Sequence, residues 1–320
     1  MHNAFTFDTL IWDWPIAVYL LLVGISAGMV SLSILLRHYV PSEYRGSNLV
    51  IKATAIVAPL AVILGLVILI FHLTRPLAFW YLMVFYNPTS IMSLGVILFQ
   101  VYFVVMLLWI ITLYHEGWLT HLETAWHRPV LAARARKLTA MIVKKAAVIE
   151  NLLLVLAILL GCYTGFLLSA LKSFPLLNNP VLPVLFLVSG TTSGIAVMLL
   201  ASASSRNTSG HPRSLHFIHR VETPVVYAEL FLLFAFFIGL LLGGGQKVVA
   251  AQTALSGFWG GVFWIGIIGI GIVIPFIANR VRKPSSHSGK GQVVTLAVMS
   301  LFGVFLLRLF VLYAGQMTVA

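Results

Sequence analysis

The run ATAIVAPLAVILGLVILIFHLTRPLAFW, residues 53–80, has no charged side chain from Ala53 to Phe71 and then brings His72 and Arg75 together. A bilayer core is crossed by about 20 apolar residues in a helix, and this run supplies them. Pro76 ends it, because proline lacks an N–H and disfavours helix in the residue before it. Read as a membrane span, the run delivers an imidazole and a guanidinium to one face of the bilayer. Which face, and for what purpose, depends on the rest of the chain.

Composition supports the membrane reading. Sixty per cent of the residues are hydrophobic, 9% are charged, and mean hydropathy is +1.03, whereas soluble domains carry about 25% charged residues. The formal charge of +12 therefore marks loop topology rather than affinity for nucleic acid, since Lys and Arg collect in cytoplasmic loops. The single cysteine, Cys162, lies in an apolar run. That excludes a disulfide framework and any CxxC cluster or zinc motif. The first apolar run follows Asp8 and Asp13 with no basic segment before it, so it is not read as a cleavable signal peptide.

Eight apolar segments are expected to be transmembrane helices, at about 15–36, 52–73, 89–113, 146–171, 181–202, 224–242, 258–279 and 293–314. A membrane β-barrel would instead show short alternating segments. The fold class is an all-α integral membrane protein, a single polytopic domain over residues 1–320. With the N-terminus outside, the inner loops hold 16 of the 20 basic residues: Arg37, Arg45 and Lys52; Arg128, Arg134, Arg136, Lys137, Lys144 and Lys145; Arg206, Arg213 and Arg220; Arg280, Arg282, Lys283 and Lys290. Only Arg75, Lys172 and Lys247 fall in outer loops. Both termini are thus expected to be periplasmic. The loop 114–145 is read as basic and cytoplasmic, and KPSSHSGKGQ as a flexible inner connection. GISAG (Gly24, Gly28) and GCYTG (Gly161, Gly165) carry the GxxxG spacing of close helix packing.

Polar residues gather at two depths. His72 and Arg75 end the second helix on the outer side. Trp12, Asp13, Trp14 and Tyr19 enter the first helix from that side, Tyr163 and Lys172 lie toward the outer end of the fourth, and Arg308 lies about one and a half turns inside the outer end of the eighth. A charge within a membrane helix is costly and usually faces a cavity or partner, so these residues suggest an outer pocket. The bland readings are an aromatic belt for the tryptophans, snorkelling for Lys172, and an Arg308–Asp13 pair. On the inner side, Glu150 begins the fourth helix and HFIHRVETPVVYAE sets His216, His219, Arg220, Glu222 and Glu229 at the sixth. Glu222 and Glu229 are seven apart and share a face. These carboxylates could conduct protons, or simply pair with Arg220 and Lys144. His216 and His219 lack a third ligand, so no metal site is expected. Gln100, midway along the third segment, suits an interhelical hydrogen bond. No histidine lies near a helix middle, where membrane b-haem ligands belong, and no nucleotide motif is present.

WDWPIAVYLLLVGISAG, HLTRPLAFW, NPTSIMS, GCYTGFLLSALKSFPLLNNPVLPVLFLVSG, HRVETPVV and RLFVLYAGQ together resemble the NrfD/polysulfide reductase membrane-subunit family. The resemblance runs from the first helix to the C-terminus and is nearest the branch of formate-dependent nitrite reduction. It implies two four-helix bundles in the bacterial inner membrane, with no redox cofactor bound by the chain itself. It implies a quinol substrate, usually menaquinol, oxidised near the periplasmic face, and a periplasmic four-cluster iron–sulfur protein as electron acceptor. It also implies a quinone site whose positions match Tyr19 and Tyr163. A further asparagine of the polysulfide branch falls on Ile16, so Asp13, His72 or Arg308 would have to substitute for it.

The residues themselves fit such chemistry. Quinol oxidation releases two electrons and two protons, and it needs hydrogen-bond partners for both ring oxygens and a nearby base in an apolar slot. His72 and Asp13 are candidate bases, Arg308 and Arg75 candidate stabilisers of developing charge, and Tyr19 and Tyr163 candidate donors. Glu229, Glu222 and Glu150 are candidate proton-transfer groups. Electrons would pass on to c-type cytochromes of nitrite reduction, or to a molybdopterin reductase of polysulfide, thiosulfate or tetrathionate. The competing classes are a secondary transporter, which would set its site near the midplane, and a passive membrane anchor.

Overall fold

Each apolar run is long enough that its backbone can satisfy itself only by coiling into a helix in lipid. The computed structural model bears this out, with eight helices among its described residues long and apolar enough to cross a membrane. It describes residues 4–43, 48–73, 75–124, 129–204, 212–281 and 290–319. Arg45, Arg128, Arg206, Arg282, Lys283 and most of KPSSHSGKGQ lie outside the described residues.

The chain runs α1 (Trp14–Tyr39), α2 (Leu49–Phe71), a short α3 (Phe79–Val84), α4 (Ile91–Thr124), α5 (Pro129–Lys144), α6 (Ala146–Ser169), α7 (Leu182–Ser204) and α8 (Pro212–Leu242). It continues through α9 (Gln246–Leu255), α10 (Gly257–Gly261), a π-helical stretch Val262–Val273, α11 (Ile274–Val281) and α12 (Lys290–Gln316). Pro15 stands in the first turn of α1, where its missing N–H costs nothing. The Asn48 side chain caps α2 by accepting from Val50 N at 2.9 Å, a cap worth about 1 kcal/mol.

Three expectations need correction. The third span does not stop at residue 113 but continues as helix to Thr124, and most of the expected loop 114–145 is the rest of α4 together with α5. An apolar run reports only the part of a helix in lipid; the polar continuation LYHEGWLTHLET is still helical because α5 packs along it. The sixth helix likewise begins at Pro212 rather than Pro224, so Pro224 is interior. The seventh span is not a continuous α-helix. Its centre is π-helical, with Ile274 N donating to Gly269 O five residues back. Pro275 follows and cannot donate, which relieves the α-register there.

The spans α1, α2, α4 and α6 form one group and α7, α8, the π-helical span and α12 another; α1 and α7 pack against each other along the join. Their crossing depends on glycine. A Cβ on Gly28 would strike the carbonyl of Gly190, and one on Gly194 would come within 2.7 Å of Gly28 C and Met29 N. A Cβ on Gly24 would lie 3.2 Å from Gly190 Cα. GISAG therefore packs against GTTSG of α7, backbone on backbone. Gly161 and Gly165 of the other expected motif face Leu187 and Pro183 of α7.

Gly28→Ala is expected to force α1 from α7 and to destabilise the protein by about 1–3 kcal/mol, the range for overpacking. Gly239→Ala is the control, because nothing lies within 4 Å of an added Cβ there. Thermal unfolding in mild detergent should show a lowered Tm for the first variant and none for the second.

Candidate functional site

A cavity of about 390 Å³ lies between α1, α2, α4 and α6, roofed by α3. Its lining is apolar except for Tyr19, Tyr163 and Gln100. The helix faces around it carry exposed Ile63, Met92 and Val104, so the cavity is flanked by surface that lipid covers. Gln100 fastens the roof: its amide donates to Met83 O at 3.1 Å, and its carbonyl accepts from Tyr86 Oη at 2.7 Å. The sequence suggested a helix–helix bond for Gln100; the partner is the short α3 and the turn after it.

Tyr19 and Tyr163 bracket Phe99, with ring centroids 6.2 and 6.0 Å from it. Both are largely buried, yet neither hydroxyl has a hydrogen-bond partner among the described residues. A buried phenol ordinarily finds a partner, so these two are set to bond something that enters the cavity. Tyr163 owes its position to Gly95. A Cβ at residue 95 would occupy the space of the Tyr163 ring and hydroxyl. Gly95 was invisible to sequence reasoning, since a lone glycine near a helix start carries no pattern.

Asp13 and His72 come together at the same end of the molecule, with His72 Nε2 3.6 Å from Asp13 Oδ1. They do not line the cavity, although Leu73, next to His72, does. Their placement rests on Gln316, which sequence reasoning noted only within RLFVLYAGQ. Its side-chain carbonyl accepts from Ile11 N at 2.8 Å and Trp12 N at 3.0 Å, while its amide donates to Trp12 O at 2.9 Å. Tyr313 adds a fourth tie, accepting from Trp14 N at 3.1 Å. Arg75 is exposed before a 3₁₀ turn and does not reach the cavity.

Arg308 also lies away from the cavity. It is fully buried, donates to Phe186 O at 3.1 Å and stacks on the Phe186 ring at 3.6 Å. Gly24 leaves room for its guanidinium. Glu229, not Asp13, is the carboxylate whose charge acts on it, but the two make no direct ion pair, and Arg308 Nε and Nη1 have no hydrogen-bond partner among the described residues. Glu229 accepts from Thr192 Oγ1 at 2.7 Å. The residues read as outer and inner groups thus meet in the α7–α8–α12 half. Glu229 and Glu222 line one narrow slot there, with about 20 Å³ of free space, enough for about one water. Glu222 accepts from Asn279 at 2.8 Å and faces His219 at 3.3 Å. Glu150 is elsewhere, paired with Arg37 of α1. The expected partners Arg220 and Lys144 are replaced because α1 and α6 belong to the same group of spans, and their basic ends coincide.

The family model for polysulphide reductase, NrfD, matches residues 2–320. The chain belongs to this family. It is 50% identical over 99% of both chains to Protein NrfD of Escherichia coli (strain K12). It is 44% identical to the Protein NrfD homolog of Haemophilus influenzae, covering 97% of this chain and 96% of that one. It is 39% identical, with the same coverage, to a polysulfide reductase subunit of Wolinella succinogenes. The higher identities to the NrfD proteins agree with the branch indicated by the motifs. The protein is a multi-pass membrane subunit of this family.

Gln316→Ala is expected to strip two backbone N–H groups of their acceptor and to cost about 1–3 kcal/mol each where they stay buried. Hydrogen exchange should accelerate at Ile11 and Trp12 while the amides of the α1 core remain protected.

Proposed function

We propose that this subunit oxidises a quinol, menaquinol being the expected substrate, in the cavity between α1, α2, α4 and α6. The electrons pass to an iron–sulfur protein docked at the outer end. One observation carries the reading: an apolar cavity flanked by lipid-facing helix surfaces whose only phenols, Tyr19 and Tyr163, have hydroxyls without partners among the described residues. Its volume falls in the usual range for small-molecule sites, about 300–1,000 Å³. A quinol arrives from the bilayer, so an apolar entrance is required rather than tolerated.

In this mechanism Tyr19 and Tyr163 hold the ring oxygens. As two electrons leave for the iron–sulfur partner, two protons leave the quinol hydroxyls. The Asp13–His72 pair takes them toward the outer surface. Asp13 stands six residues before Tyr19, about 9 Å along the helix, so transfer uses intervening water rather than direct contact. Arg75 contributes a positive potential at the exit. Arg308 acts from the other half of the molecule, through its field rather than by contact with the quinol. Glu222 and Glu229 in the slot are the proton-transfer candidates from the basic end. Their free space fits about one water, so conduction there requires the π-helical span to move. Glu150, ion-paired with Arg37, is given a structural part. Nitrite reduction through c-type cytochromes is the proposed destination of the electrons. Polysulfide or a related acceptor through a molybdopterin enzyme is the alternative, as the name of the Wolinella relative suggests.

Co-purification from anaerobically grown cells should recover an iron–sulfur protein. A multihaem cytochrome with it supports the nitrite route, a molybdopterin subunit redirects the pathway, and no redox partner overturns the proposal. In the assembled complex, Tyr163→Phe should lower quinol oxidation about 10-fold or more with the ring retained. His72→Gln should lower it by about 10²-fold, the low end for a general base. Gly95→Ala should displace Tyr163 and cost about 10²-fold, as a misplacement near 1 Å does. Gly117→Ala, with open space around its Cβ, should leave the rate unchanged. Wild-type rates in Tyr163→Phe and His72→Gln together would remove the assignment.

A further inference from the structure

At the end of the bundle that carries most of the basic residues, a groove separates the C-terminus of α1 from the first turns of α8. It is lined by Leu35, Tyr39, Ser42, Phe217, Val221 and Pro224, and by three basic side chains, Arg213, His216 and Arg220. These three are spaced three and four apart, so they form one stripe on α8. All three are exposed. Tyr39 stacks on Phe217 with centroids 5.4 Å apart, making an aromatic wall.

Among the described residues, no carboxylate forms an ion pair with a side chain of this stripe. The carboxylates nearest in sequence to the groove's lining residues are engaged by groups other than these side chains. Glu43 caps α8 through the backbone and a hydroxyl, accepting from Arg213 N at 3.3 Å, Ser214 N at 2.8 Å and Ser214 Oγ at 2.6 Å, and makes no ion pair with the Arg213 guanidinium. Glu222 is held by Asn279 and His219 on the opposite face of α8. No acidic residue lines the groove, and neither Arg213 nor Arg220 meets a side-chain acceptor among the described residues. The lining also has a direction. Arg213 stands at the water end of α8, Arg220 two turns deeper, and Val221, Pro224 and Leu35 lie toward the apolar part of the spans. A free phosphate needs only the first part of that gradient. A phospholipid needs all of it, with phosphate at the guanidinium groups and acyl chains along the apolar end.

We propose that this groove is a binding site for an anionic glycerophospholipid, held by Arg213 and Arg220 through its phosphate, with Ser42 as a further hydrogen-bond donor. Arginine suits the task because its fork matches phosphate oxygens two at a time. Basic pockets at the ends of transmembrane helices are used in this way. The site is far from the phenol-lined cavity and does not depend on what that cavity binds.

The test is native mass spectrometry of the full chain in mild detergent, titrated with phosphatidylglycerol, phosphatidylcholine or inorganic phosphate. Wild-type protein should retain phosphatidylglycerol at least about 10-fold better than phosphatidylcholine. R213Q/R220Q should weaken that retention about 30-fold, the loss expected for two basic groups at a membrane surface, and R213K/R220K should restore most of it. K52Q, which removes a basic residue outside the groove at the same end, should change nothing. Equal retention of the two lipids by wild-type protein overturns the proposal whether or not the variants fold. So does displacement of phosphatidylglycerol by millimolar phosphate, which identifies a free-anion site, or equal loss in K52Q.

Discussion

The close crossing of α1 and α7 is the constraint on which the rest depends. Without a hydrophobic force between helices in lipid, association rests on contact distance and backbone approach. Glycines 24 and 28 meet glycines 190 and 194 with no side chain between them. This seam joins the two groups of spans. It also decides where Arg308 goes: the room beside Gly24 is filled by its guanidinium, which would otherwise be an intolerable charge in the apolar interior. The Phe186 ring and carbonyl take one side of it, while Nε and Nη1 have no hydrogen-bond partner among the described residues.

The two halves separate two kinds of polarity. The α1–α2–α4–α6 half keeps an apolar cavity with two unpartnered phenols, a place for a neutral amphiphile from the bilayer. The α7–α8–α12 half buries an arginine and a glutamate that share its interior without a direct ion pair, and a slot too narrow for a water column. Apolar surroundings strengthen any hydrogen bond formed in the first and raise the cost of a buried charge in the second. The Gln316 clamp lies at the boundary. It binds the segment before α1 to the end of α12, so the position of Asp13 beside His72 is set by the last helix although both residues belong to the first half.

The candidate site was legible in part. Tyr19 and Tyr163 stood out through their depth and the resemblance, and the cavity unites them. His72 and Asp13 were expected in one pocket with the phenols, and they do meet each other, but outside the cavity lining. Arg308 was grouped with them by depth alone. Depth along a helix says nothing about azimuth when the helix is apolar all round, and α12 turns this side chain away from the cavity. Gly95 and the α7 glycines gave no signal because a glycine matters only through what its missing Cβ would strike. The helices α4 and α8 extend beyond the expected spans because hydropathy measures lipid contact, not helicity.

The amino-acid sequence by itself determined the solvent, the number of spans and the polarity of their ends, because each follows from local composition summed along one segment. It also determined family membership, through motifs distributed over the whole chain. The tertiary structure alone decided which polar groups face one another: Arg37 with Glu150, Arg308 with the Phe186 ring and carbonyl, Glu229 with Thr192, and the phenols with the apolar cavity rather than with either arginine. Such pairings depend on rotation of helices about their own axes, and that rotation is set by glycine contacts between segments more than a hundred residues apart.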